Sequence, residues 1–276
     1  MQTEIILMWL AVSLYALSAV LFVVSLVFKR TGLTRIALAV ALLGLLPHTV
    51  AIGMRWVRVD HGPYLGFYEV VSSFAWISVL ALGTLAWRRP ALNVLGVILM
   101  PIAFLLLGGA MFAPQAELAI TGTLASWWLT IHVAFAKLSY GAFIASFALA
   151  LVYLYRERAG GMLADALSKL PDQEVLDDLQ FRFVSVGFVF LGIMIVAGAI
   201  WANEAWGRYW AWDPIETWSL ISWVVYAAYL HARLTLAWRG RRSALFALLA
   251  LPVVVFALIG VPLVYKSIHG AYLIGY

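Results

Sequence analysis

The stretch Phe183-Val-Ser-Val-Gly-Phe-Val-Phe-Leu-Gly-Ile-Met-Ile-Val-Ala-Gly-Ala-Ile-Trp201 contains no charged residue and no proline. About 20 apolar residues in helical conformation match the hydrocarbon thickness of a bilayer, so this stretch reads as a membrane-crossing helix. Similar runs occur at about 4 to 28, 36 to 54, 69 to 87, 91 to 113, 128 to 155, 217 to 238 and 243 to 265. The expectation is an all-α polytopic membrane protein of about eight spans, with residues 1–276 forming a single transmembrane domain. Composition agrees: 65% of the residues are hydrophobic and 11% charged, where a water-soluble chain carries about 25% charged residues. The first run, followed by Lys29 and Arg30 with no small-residue cleavage site, is expected to stay as a helix.

The connections alternate in charge. Lys29, Arg30, Arg35, Arg88, Arg89, Arg156, Arg158, Lys169, Arg182, Arg239, Arg241 and Arg242 fall on one side, and Arg55, Arg58, Arg208 and Lys266 on the other. The positive-inside rule makes the first side cytoplasmic and puts both termini on the outer face. This explains the net charge of +5 without nucleic acid. The cytoplasmic piece 156–182 carries Leu163, Ala166, Leu167 and Leu170 at helical spacing, then Pro171, then Val175, Leu176 and Leu179; it reads as an amphipathic connector of two short interfacial helices. With no cysteine in the chain, any thiol chemistry belongs to a partner or substrate.

Directly after Trp201 comes Ala-Asn-Glu-Ala-Trp206-Gly207-Arg208-Tyr209-Trp210-Ala211-Trp212-Asp213-Pro214-Ile215-Glu216-Thr217-Trp218, with Trp223 just beyond. An aromatic belt at the bilayer surface accounts for some of these rings. It accounts less well for Trp206, Trp210 and Trp212 gathered around Gly207 in a short connection with charged groups. Such a surface suits a planar, largely apolar ligand with a polar edge. Asp213, Pro214 and Glu216 stand where a helix takes its N-cap, first and third residues, a capping box. An outward-facing helix start also attracts an anion such as a carboxylate, and Arg208 could supply a second contact.

The run from Trp201 to Trp223, followed by Tyr229, Leu230 and His231, resembles the WWD signature of the CcsA/ResC family, the haem-handling subunit of the system II cytochrome c synthase. Trp128 to Val133 and Ser139 to Phe143 resemble the family's helix bearing its first external histidine. Asp177 to Leu179 and Arg182 to Gly187 resemble the lead-in to the signature, and His61, Pro63, Tyr68, Glu69 and Ser72 are similar to an outer loop. The likeness covers about residue 45 to the C-terminus. Gly66 departs from an expected asparagine and Ile215 from a usual lysine. Ser72 closes a Tyr-Glu-Val-Val-Ser element and Ser73 follows it, and Gly270 follows His269 where serine is common. None of these positions is an expected iron ligand.

The resemblance implies a haem lyase subunit that carries haem b to an outer WWD site and presents it for thioether attachment to the CxxCH motif of apocytochrome c. It implies a separate CcsB/ResB-type membrane partner and a thioredoxin-like reductant acting on the substrate's thiols. It further implies a bacterial cytoplasmic (inner) membrane location with the WWD loop on the periplasmic side. The expected haem-binding residues are His132, His269, His231, Trp206, Trp210, Trp212, Arg208 and Asp213. His132 and His269 each lie about four residues from an outer helix end, at the level of the WWD loop, and match the family's two external axial ligands. His231 lies roughly 21 Å below the outer surface; an ionisable group so deep points to function, with a plain backbone-bonded histidine as the alternative. Since no other histidine shares its depth, the resemblance supplies one from the partner, for a second, transmembrane haem. His48, beside Pro47 and about 9 Å deep, reads as readily as a kink-lining residue as a ligand. His61 belongs to an exposed turn with Asp60, Gly62 and Pro63 and reads as making a turn or rim contact. Two rivals stay open: a cytochrome b-like electron carrier, and a haem exporter without ligation activity.

Overall fold

The computed structural model describes residues 2–28, 30–115, 117, 120, 122–158 and 171–267. They form eight long helices: α1 Gln2–Val27, α2 Thr31–Val59, α3 Gly66–Arg88, α4 Gly96–Met111, α5 Trp127–Arg158, α6 Gln173–Trp206, α7 Pro214–Leu234 and α8 Arg241–Val255. A 3-10 segment, Pro90–Leu95, leads into α4, and a π turn, Phe256–Gly260, carries α8 into a last turn, Val261–Val264. No strand occurs among the described residues, and the all-α membrane architecture expected from the sequence is the one found.

Seven of these helical segments are long and apolar enough to cross a membrane; α7 has the length but not the apolarity. Its two ends nevertheless meet the two ends of its neighbours. At its start Asp213 accepts a hydrogen bond from Ser267, just past the turn Val261–Val264, at 2.7 Å. In its last turn Arg233 pairs with Asp177 near the start of α6 at 2.6 Å. It therefore runs the height of the bundle, with Ser219, Ser222, Tyr226, Tyr229 and Arg233 buried against protein, which is where polar groups at membrane depth belong.

The second half of the expected interfacial pair is corrected. Val175, Leu176 and Leu179 are not a separate short helix but the opening of α6, which continues unbroken to Trp206. Nothing between Gln173 and Trp206 breaks a helix, and 34 residues make a rod of about 51 Å, longer than the bilayer core. The expected first half, around Leu163 to Leu170, lies outside the described residues.

Two apolar cores share α3 and α5. One joins α1, α2, α4 and inward residues of α3 and α5, with Tyr15, Phe22, Leu82 and Met100 fully buried. The other joins α3, α5, α6, α7 and α8 around Phe143 and Tyr226, whose rings stack at 3.6 Å. At the end bearing the tryptophan segment, termed the outer end, Arg55 and Arg58 of α2 are paired with carboxylates from three other segments. Arg55 Nε meets Glu69 at 2.7 Å and its Nη1 meets Glu4 at 3.4 Å; Arg58 pairs with Glu4 and, at 2.6 Å, with Glu117. Glu4, Arg55 and Glu69 are buried, and their mutual neutralisation is what makes that burial tolerable. The starts of α1 and α3 thus lie at the same end as the tryptophan segment.

Candidate functional site

Beneath the tryptophan segment lies a cavity of about 160 Å³, walled by α3, α5, α6, the 201–213 connection, α7 and the π turn after α8. Apolar side chains such as Phe74, Leu129, Met194 and Leu258 make most of its surface, and His132, Lys137, Glu216 and Ser219 also line it. The π turn places Ala257 and Leu258 in the wall; such turns recur where a helix is reshaped around a site.

His132 sits five residues after the start of α5, about 7.5 Å below the helix end. Its Nδ1 lies 2.8 Å from the Met194 carbonyl oxygen on α6. A carbonyl only accepts, so Nδ1 carries the proton and Nε2 the lone pair, the arrangement found behind metal-bound imidazoles. Gly198, also on α6, makes room for the ring: a Cβ there would stand 2.5 Å from Nδ1.

The expected tryptophan platform is only partly gathered. Trp210 lines the cavity together with Tyr209 and Trp201, and Trp210 Nε1 is buried without a hydrogen-bond partner among the described residues. Trp206 packs edge-on against Trp201 at 5.0 Å, behind the lining. Trp212 is 69% exposed and stands edge-on to Trp210 at 5.8 Å, on a backbone with φ +58 that non-glycine residues seldom adopt. Gly207, with φ +72, closes α6 by donating its N–H to the Asn203 carbonyl, which turns the chain back over the cavity.

The start of α7 forms the capping box. Asp213 accepts from Ile215 N at 3.0 Å, and Glu216 accepts from Ala211 N at 2.8 Å and Asp213 N at 3.2 Å. The chain's own carboxylates thus occupy this helix start, which places negative charge where an anionic ligand was expected. Arg208 is exposed on the connection and does not line the cavity.

The remaining histidines separate widely in environment. His231 is exposed in the last turn of α7, 17 residues past Pro214 and so about 26 Å from that helix's outer end. It is thus nearer the inner end than the estimate from sequence. Its Nδ1 lies 3.3 Å from the Thr235 hydroxyl. His48 is buried between α1 and α2, its Nδ1 3.1 Å from the Tyr15 hydroxyl. His61 makes the turn contact, 2.7 Å from the Gly62 carbonyl, but its expected exposure is corrected: it is 2% exposed and 3.7 Å from Glu69 Oε2. His269 lies outside the described residues, which end at Ser267 beside Asp213.

The sequence reading passed over Lys137. It is the sole charge in the run from Trp127 to Tyr155, and a lone charge in a span is itself a signal of function.

Fold and site together define a helical, multi-pass membrane protein with an imidazole-bearing apolar cavity under an aromatic loop. Residues 64–269 match the family described as Cytochrome C assembly protein. The cytochrome c biogenesis protein CcsA of Synechococcus sp. strain CC9605 is 36% identical over 87% of either chain. CcsA of Guillardia theta is 34% identical over 92% of this chain and 91% of that one. The chain belongs to this family, in its CcsA branch. The solved structure of the cytochrome c heme lyase CcmF superposes with a TM-score of 0.72 at 18% identity, over 99% of this chain. The chain spans about half of that longer protein, 48% of its length, and the likeness is one of fold.

Proposed function

We propose that this chain is the haem-presenting subunit of a cytochrome c synthase, holding haem in the outer cavity while apocytochrome c is joined to it. Membership of the cytochrome c assembly family supports the role in cytochrome c biogenesis. The observation that carries the site is His132, its Nδ1 committed to Met194 and its ring in the wall of an apolar cavity. The donor set fits haem: an imidazole for iron, aromatic walls for the macrocycle, and an orphan indole N–H at Trp210 for a polar edge. At about 160 Å³ the enclosed space is smaller than a typical closed ligand site of ~300–1,000 Å³. A macrocycle there would be enclosed along part of its perimeter, as presentation to a second protein requires.

His132 and His269 are proposed as axial ligands. The chain ends its described course at Ser267, bonded to Asp213 at the outer end, two residues short of His269. Trp210 and Tyr209 orient the ring, and Trp206 supports Trp201 from behind. In attachment, each substrate thiol adds its sulfur and hydrogen across a vinyl group, so the protein needs no acid–base pair beyond positioning and ligation.

A second haem is proposed at His231, shared with a CcsB/ResB-type subunit. Ile221, Val224, Ala228 and His231 form an exposed stripe on α7 at spacings of three and four, the spacing of a helix-docking face. The haem b type, the thiol reductant and the inner-membrane, periplasm-facing setting belong to this same reading. Purification with the partner, followed by measurement of covalent haem in apocytochrome c, tests it. Thioether-linked haem is expected, and bound haem with no transfer would point instead to an exporter or electron carrier.

A further inference from the structure

Lys137 is 8% exposed and lines the outer cavity. Its Nζ donates to the Pro63 carbonyl at 2.5 Å, and among the described residues it makes no ion pair. An ammonium has three protons to donate; one neutral carbonyl takes one of them, and Glu69 acts on the charge only through space. The nearby carboxylates are committed elsewhere. Glu69 serves Arg55 Nε at 2.7 Å and the Leu65 N–H at 3.0 Å, and Glu216 serves Ala211 N and Asp213 N. Among the described lining residues Lys137 is the one cation, while Arg208 lies exposed outside it and the start of α7 is filled by its own carboxylates. Lys137 therefore keeps donor capacity at the cavity that no hydrogen bond among the described residues takes up.

We propose that Lys137 binds a carboxylate of the cavity's ligand; on the haem reading above, a propionate. Lys137 follows His132 by five residues, about 140° around α5; its Nζ reaches the Pro63 carbonyl before α3 while His132 meets Met194 on α6, so the two groups reach the cavity from different walls. The propionate edge then faces Lys137, between α5 and the turn before α3, and the opposite edge, which carries vinyl substituents, is left for the substrate thiols. The orientation is set by a charge inside the cavity, not by Arg208 on its rim.

The test compares ferric haem with its dimethyl ester, whose propionates carry no charge. Both are titrated into the purified full chain in a His231→Ala background, so that the outer site alone is read by its absorption spectrum. The parent is expected to prefer haem by about ten- to a hundredfold, the worth of a hydrogen bond to a charged group. Lys137→Met should bring the two affinities together, and Lys137→Arg should keep part of the preference. Each ratio is taken within one variant, so a general loss of folded protein leaves it unchanged. An undiminished preference for haem in Lys137→Met, or no preference in the parent, overturns the assignment while leaving the cavity a haem site. Binding of neither porphyrin by the parent overturns the haem reading itself and this inference with it.

Discussion

His132 and His231 both belong to the half of the molecule built from α5 to α8, yet their surroundings are opposite. The His132 ring is wedged against α6, its Nδ1 fixed by a backbone carbonyl and its neighbour Gly198 trimmed to admit it. His231 is exposed in the last turn of α7 beside a hydroxyl, on a stripe of apolar residues. An imidazole at membrane depth that faces outward is costly unless another surface covers it. On the function proposed above, the contrast separates a site whose walls this chain supplies from one of which it supplies a single side.

The largest expected effect lies at the walled site. His132→Ala or His269→Ala should abolish cytochrome c production while the protein still inserts, because one axial bond is gone; added imidazole, able to fill the vacancy, should restore part of it. Full activity in both variants would remove the proposed ligand pair. A smaller but sharper probe is Gly198→Ala, whose methyl group would press on His132 Nδ1 from 2.5 Å. Disturbing the group behind a metal-bound imidazole costs about ten- to a hundredfold in metal affinity, so outer-haem retention should fall by that order with His231 haem unaffected. Unchanged spectra in this variant would mean the ring has another resting place.

Smaller again are the rings. Trp210→Ala should weaken haem retention by roughly 0.5–1.5 kcal/mol, the worth of an aromatic pairing, measured as a shift in the haem dissociation constant. Trp206→Ala and Trp212→Ala should each cost less, since those rings stand behind or outside the lining. Least of all is Asp213→Asn, for asparagine caps a helix about as well as aspartate and its amide oxygen can still accept from Ile215 N and Ser267. If this variant lost haem as severely as Trp210→Ala, the carboxylate would be acting on the ligand.

The spans were legible because a bilayer demands long apolar runs, and α7 was legible despite its polar residues because Asp213, Pro214 and Glu216 announce its start. What local sequence could not convey was long-range packing. His61 sits in a turn of Asp, Gly and Pro that reads as exposed, but Glu69 and Tyr64 fold over it. Val175 to Leu179 follow a proline and read as a fragment, though no breaker separates them from the span beyond. The three loop tryptophans are close in sequence, yet the turn at Gly207 and the positive φ of Trp212 send only Trp210 into the cavity. Lys137 was visible all along as a lone charge in an apolar helix; its meaning depended on knowing that Glu69 and Glu216 are spoken for.

The comparison of the two histidines is tested most directly by counting haem in the full chain purified alone and again after co-expression with a CcsB/ResB-type subunit, with the His132→Ala/His269→Ala double variant alongside. The account predicts that the chain alone holds only outer haem, that the double variant alone holds none, and that co-expression adds a second haem lost in His231→Ala. Stoichiometric bis-histidine haem persisting in the isolated double variant would contradict it, and would make His48 the ligand to examine.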